Sequence, residues 1–98
     1  MEQMKIPEEA RVTYNYEAPD VPEMVKEFRP TLFRDDNDYC CVLGPNPQMG
    51  IFGCGISQEE ALRNWQHNLK RRITDADDND EVAQYIIEAL KASNKKVW

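Results

Sequence analysis

Apolar and polar residues alternate along Arg11-Val12-Thr13-Tyr14-Asn15-Tyr16, which puts Val12, Tyr14 and Tyr16 on one side and predicts a short strand. Residues 1–10 carry no such period and read as a frayed start. Ala18-Pro19-Asp20-Val21-Pro22 then interrupts the chain, and Asp20 stands where it can cap a short helical turn through Pro22-Glu23-Met24-Val25-Lys26. Strand character returns in Phe28-Arg29-Pro30-Thr31-Leu32-Phe33-Arg34; Pro30, which has no N–H to give a ladder, marks an edge or a strand end. Asp35-Asp36-Asn37-Asp38 is a turn, because short acids and amides bond their own backbone and tolerate left-handed geometry. Tyr39-Cys40-Cys41-Val42-Leu43 is a compact buried strand. Residues 44–50, with two prolines and two glycines, form a loop, and Ile51 to Cys54 a further strand. Gly53 and Gly55 mark a close backbone approach or a bulge. These strands follow one another as an antiparallel meander.

After Gly55 the period changes to that of a helix. Ser57-Gln58-Glu59-Glu60 is a capping box, in which the Ser57 hydroxyl takes an orphan amide and Glu60 reaches back. Ala61, Leu62, Trp65, Leu69 and Ile73 share one face, so a helix is predicted from about Gln58 to Ile73, its stripe covering one face of the sheet. Trp65 reads as a core anchor. An acidic linker precedes a second helix over 80–93, begun by Asp78 or Asp80 and carrying Val82, Ala83, Ile86 and Leu90. Lys91, Lys95 and Lys96 suit its negative end. The expected architecture is a single α+β domain over 1–98. A three- to four-stranded antiparallel sheet is covered by one main helix, with a second C-terminal helix. Residues 1–20 form an N-terminal extension carrying a strand, and 28–73 form the core.

Length agrees with one domain. For 98 residues and 11.4 kDa, about 5,800 Å² of folded surface against about 16,500 Å² unfolded buries roughly 65%. The longest apolar run, residues 39–43, is far short of a membrane span, and the start lacks the basic and apolar stretches of a signal peptide. A cytoplasmic protein without membrane contact is expected. Eighteen acids against twelve bases leave a charge of −6, a field that repels phosphate backbones and argues against general nucleic-acid binding while suiting a basic partner. The three cysteines, Cys40, Cys41 and Cys54, make neither a disulfide framework nor a Cys-x-x-Cys motif. Cys40 and Cys41 face opposite sides of a strand, so reduced, partly buried thiols are expected.

Candidate chemistry is sparse. Asp75-Ala76-Asp77-Asp78-Asn79-Asp80 begins like a calcium loop, but its sixth and twelfth places hold Asp80 and Ile86 instead of glycine and glutamate. His67 lies about 200° around the helix from Trp65 and points away from the core. With Arg63, Lys70 and Arg71 it forms a basic stripe, either a contact for a partner or nucleic acid or solvated charge balancing Glu59 and Glu60. No serine elbow, phosphate-cradling glycine loop, dinucleotide fingerprint or paired-carboxylate site is present, so no enzyme, cofactor or metal is expected.

Residues 28–73 resemble the HicB-like antitoxin domain, a partial RNase H-like fold. The resemblance rests on the strand 39–43, the proline-containing loop 45–50 and, most specifically, Gly55-Ile56-Ser57-Gln58-Glu59-Glu60-Ala61-Leu62. The spacing of Gly50 and Gly55 is also like the family's. Ile56 stands where the family commonly has aspartate, and only one helix and a basic tail follow Asp80, too little for a DNA-binding segment. The resemblance implies a bare protein-binding fold without operator binding, sequestering a small basic ribonuclease toxin. The expected function is thus a non-enzymatic protein-binding module, self-associating through sheet edges as a homo-oligomer. Two alternatives are a nucleic-acid-binding accessory protein using Arg63, His67, Lys70, Arg71 and Arg72, and a phage-type structural accessory whose strand 11–16 pairs with a neighbour.

Overall fold

A computed structural model describes residues 4–46 and 48–92. Its elements in order are a 3-10 turn at Glu8–Ala10, α1 (Glu23–Phe28), β1 (Thr31–Asp35), β2 (Asp38–Leu43), β3 (Ile51–Gly55), α2 (Gln58–Thr74) and α3 (Glu81–Ala92). The three strands form an antiparallel sheet in the order β1-β2-β3. The expected α+β architecture is present, with three strands and two main helices. Asp36 takes the left-handed φ of 55° that closes the β1–β2 turn, a conformation short acids accept.

Register sets the two faces. Leu32, Cys41 and Gly53 stand in one row, Phe33, Cys40 and Cys54 in the next, and neighbouring rows point to opposite sides. On the first face α2 lies almost backbone to backbone with β3. A Cβ on Gly53 would sit 2.3 Å from the Trp65 amide nitrogen, and one on Gly55 2.5 Å from Glu60 Cβ. The two glycines therefore mark close approach. Ala61, Leu62, Trp65, Leu69 and Ile73 are all buried here, joined by Val82, Ala83, Ile86 and Leu90 of α3. Burying a tryptophan removes on the order of 200 Å² from water, worth roughly 5 kcal/mol. The Trp65 indole N–H has no partner among the described residues, which gives part of that gain back.

Helix ends follow short-range chemistry. Ser57 Oγ accepts the Glu60 N–H at 3.1 Å, while the Glu60 carboxylate accepts the Ile56 N–H, one residue before the expected partner. Asp80 caps α3, accepting the Ala83 N–H at 3.2 Å. The helix α3 is described to Ala92; Lys95 and Lys96 lie outside the described residues.

The N-terminal third departs from expectation. Residues 4–10 are not loose: the Met4 N–H reaches the Gly44 carbonyl at 2.7 Å, and Ile6 is 7% exposed. Residues 11–16 alternate in burial, yet only Arg11 bridges to the sheet, opposite Phe33, with the Val12 N–H on the Leu32 carbonyl. A longer ladder would run into Pro30, which has no N–H, and Arg29, whose φ of 48° turns the backbone away. The Tyr16 hydroxyl takes the Pro30 carbonyl instead. Phe28 is likewise not in a strand but ends α1. That helix starts after Pro22, without the side-chain cap expected of Asp20.

The cysteine expectation is corrected as well. Cys40 and Cys54 form a disulfide across β2 and β3, Cα to Cα 4.0 Å, at a directly opposed pair whose side chains stand close. Cys41 faces the other way, free and buried, its thiol donating to the Ala61 carbonyl at 3.4 Å. The expectation of reduced, partly buried thiols therefore holds for Cys41 alone. Among the described residues no helix is long and apolar enough to cross a membrane.

Candidate partner-binding surface

The loop between β2 and β3 is built to hold its own shape. Gly44 adopts φ 120°, and a Cβ there would meet Gly50 Cα at 2.8 Å. Asn46 Oδ1 accepts the N–H groups of Gln48 and Met49 at 3.0 and 2.8 Å, and the Asn46 carbonyl accepts that of Gly50 at 2.8 Å. This is an Asx-type turn, and it leaves the carbonyls of Met49 and Gly50 for a partner from another element.

Arg72, near the end of α2, is that partner. Its Nη2 donates to the Met49 carbonyl at 2.6 Å and its Nη1 to that of Gly50 at 2.9 Å. The same guanidinium grips Asp80 through Nε (2.5 Å to Oδ2) and Nη2 (2.8 Å to Oδ1). One side chain thus ties the loop, α2 and the start of α3 together. The Arg72 bond holds the Asp80 carboxyl below the ordinary carboxylate range and raises Arg72 in turn. A carboxylate more acidic folded than unfolded adds stability above the unfolded value, and that stability is lost as pH falls through the folded one. For Asp80 the loss falls below about pH 4. Asp80→Asn keeps a cap and loses the charge; it is expected to cost ~1 kcal/mol at neutral pH and to flatten the acid limb. Urea melts between pH 2.5 and 7 check this, and an acid limb identical to wild type would count against it.

An open groove of about 1100 Å³ lies beside this clamp, with Met49 on the loop wall and Tyr85 on the α3 wall. Asp75, Asp77 and Glu81 line it together with Arg72 and Asp80. Met49 (55% exposed) and Tyr85 (47%) are two of the three exposed large hydrophobics among the described residues; the third is Ile56, at 76%.

The basic stripe is where the helical period put it: Arg63, His67, Lys70 and Arg71 are all exposed on α2, away from buried Trp65. Arg72 does not belong with them, because its bonds draw it into the clamp. The buried Cys41 thiol is pushed up to about 12 by loss of solvent.

Part of each sheet edge is engaged within the chain. Arg11 and Val12 take part of the β1 edge. On β3 the Cys54 N–H donates to Asn64 Oδ1 at 3.0 Å, and the Phe52 carbonyl accepts from Asn68 Nδ2 at 2.7 Å. Association by strand pairing, expected from the sequence, meets these groups already in use. Sequence reasoning passed over the groove because its walls join residues more than twenty positions apart, and Arg72 and Asp80 each had a local explanation.

No protein-family model, curated protein or solved structure matches this chain.

Proposed function

We propose that the chain is a non-enzymatic, HicB-like protein-binding module that holds a small basic protein, in the manner of an antitoxin neutralising a ribonuclease. The observation that carries this reading is the disposition of charge. The chain has six more acids than bases, and among the described residues no charged side chain is buried, so the surplus acts outward as a field that draws basic proteins in. The strand end, serine cap and Glu-Glu-Ala-Leu helix start at residues 55–62 support the family likeness. A second reading, nucleic-acid contact through Arg63, His67, Lys70 and Arg71, is favoured by their exposure on one side of α2, but the net charge works against it.

Co-expression with the product of the neighbouring gene is expected to give a single co-eluting complex at moderate salt, and that product is expected to be basic. Two separate peaks in size-exclusion chromatography would remove the proposal, and bound nucleic acid in the purified fraction would favour the second reading.

A further inference from the structure

We infer that the groove between Met49 and the start of α3 is the docking surface, and that it takes a partner segment carrying lysine or arginine beside apolar side chains. The inference rests on the protein-binding reading and names its site. It follows from two independent features of the same concavity. The first is apolar: Met49 and Tyr85, each about half exposed, face solvent in one groove although the core lies within reach of both segments. A flexible thioether and an amphipathic ring are the residue types that interfaces favour, because one adapts its shape and the other combines contact area with a hydrogen-bonding tip.

The second feature is charge. The groove holds four carboxylates, those of Asp75, Asp77, Asp80 and Glu81, against the single guanidinium of Arg72, and that guanidinium is already bonded to Asp80. Three carboxylates remain to meet incoming cations. The positive end of α3 is satisfied by Asp80, so it offers little to an anion. The walls are also prearranged: the Asn46 turn and the Arg72 clamp fix the loop before anything binds, which lowers the ordering cost of association. The basic stripe of α2, on the outward side of that helix, plays no part in this surface.

The test uses the full chain and three fluorescein-labelled synthetic peptides of fourteen residues: lysine with leucine, lysine with serine, and glutamate with leucine. Fluorescence anisotropy is expected to show binding of the lysine–leucine peptide, at least tenfold weaker binding of the other two, and several-fold weakening between 50 and 300 mM salt. Tyr85→Ala and Met49→Ala, at half-exposed positions, are expected to weaken the first peptide about tenfold or more while melting like wild type. Equal binding of the lysine–serine peptide would overturn the apolar half of the inference. Undiminished binding by both variants would move the site elsewhere and leave the protein-binding reading standing. If no basic peptide binds at 1 mM, the groove assignment fails, while the wider reading is still decided by co-purification.

Discussion

Gly53→Ala is expected to cost about 3 kcal/mol or more, at the upper end of what one added methyl does to a packed interior. The new carbon would lie 2.3 Å from the Trp65 nitrogen, 2.6 Å from Trp65 Cα and 2.9 Å from the Ala61 carbonyl oxygen. All three are backbone atoms of a seventeen-residue helix, so no rotamer change can make room; α2 must lift away from β3 as a body. That displacement loosens Trp65 and Leu69 together and pulls Asn64 and Asn68 from the strand groups they satisfy. Against a total stability of about 5–15 kcal/mol, the melting temperature should fall by about 12–24 °C. Circular dichroism at 222 nm with tryptophan fluorescence would follow it. A shift below about 4 °C would show that the helix does not sit where the glycine implies.

Breaking the Cys40–Cys54 bond should have an effect of similar size by a different route. The two residues are fourteen positions apart, and closing a loop of about that length restricts the unfolded chain by about 3 kcal/mol. A dithiol reductant transfers two electrons and two protons to the bond and leaves two thiols on adjacent strands. Cys41 cannot take over either position, because it points to the opposite face and its thiol is held protonated by burial. Melts in dithiothreitol should therefore lie well below those of the oxidised protein and coincide with a Cys40→Ser/Cys54→Ser double variant. Superimposable oxidised and reduced curves would sink this account. The bond lies three rungs from the Leu43–Ile51 pair that closes the loop bearing Met49, so reduction should act on stability and leave the loop itself in place.

Much of the architecture is legible in the order of residues, and the failures have physical causes. The stripe from Ala61 to Ile73 is buried as its period requires, because a helix that long has one way to hide five apolar side chains against a sheet. Ser57 and Asp80 start their helices by bonds that span three residues. The segment 11–16 shows where period stops short: its alternation is present in the burial of Val12, Tyr14 and Tyr16, but a ladder also needs a partner with donors, and Pro30 supplies none. The disulfide is hidden by the adjacency of Cys40 and Cys41, which fixes no partner for either, whereas the meander's register brings Cys54 opposite Cys40. The Arg72 clamp has no local signature at all, since its partners lie eight to twenty-three positions away.

The engaged rims of the sheet carry a consequence for behaviour in crowded solution. A bare pleated border is a template on which another molecule's backbone can be zipped, and from there fibrils grow. Here Arg11 and Val12 occupy part of one border and two asparagine amides part of the other, so amyloid-like propagation along the full length of either would first require displacing them.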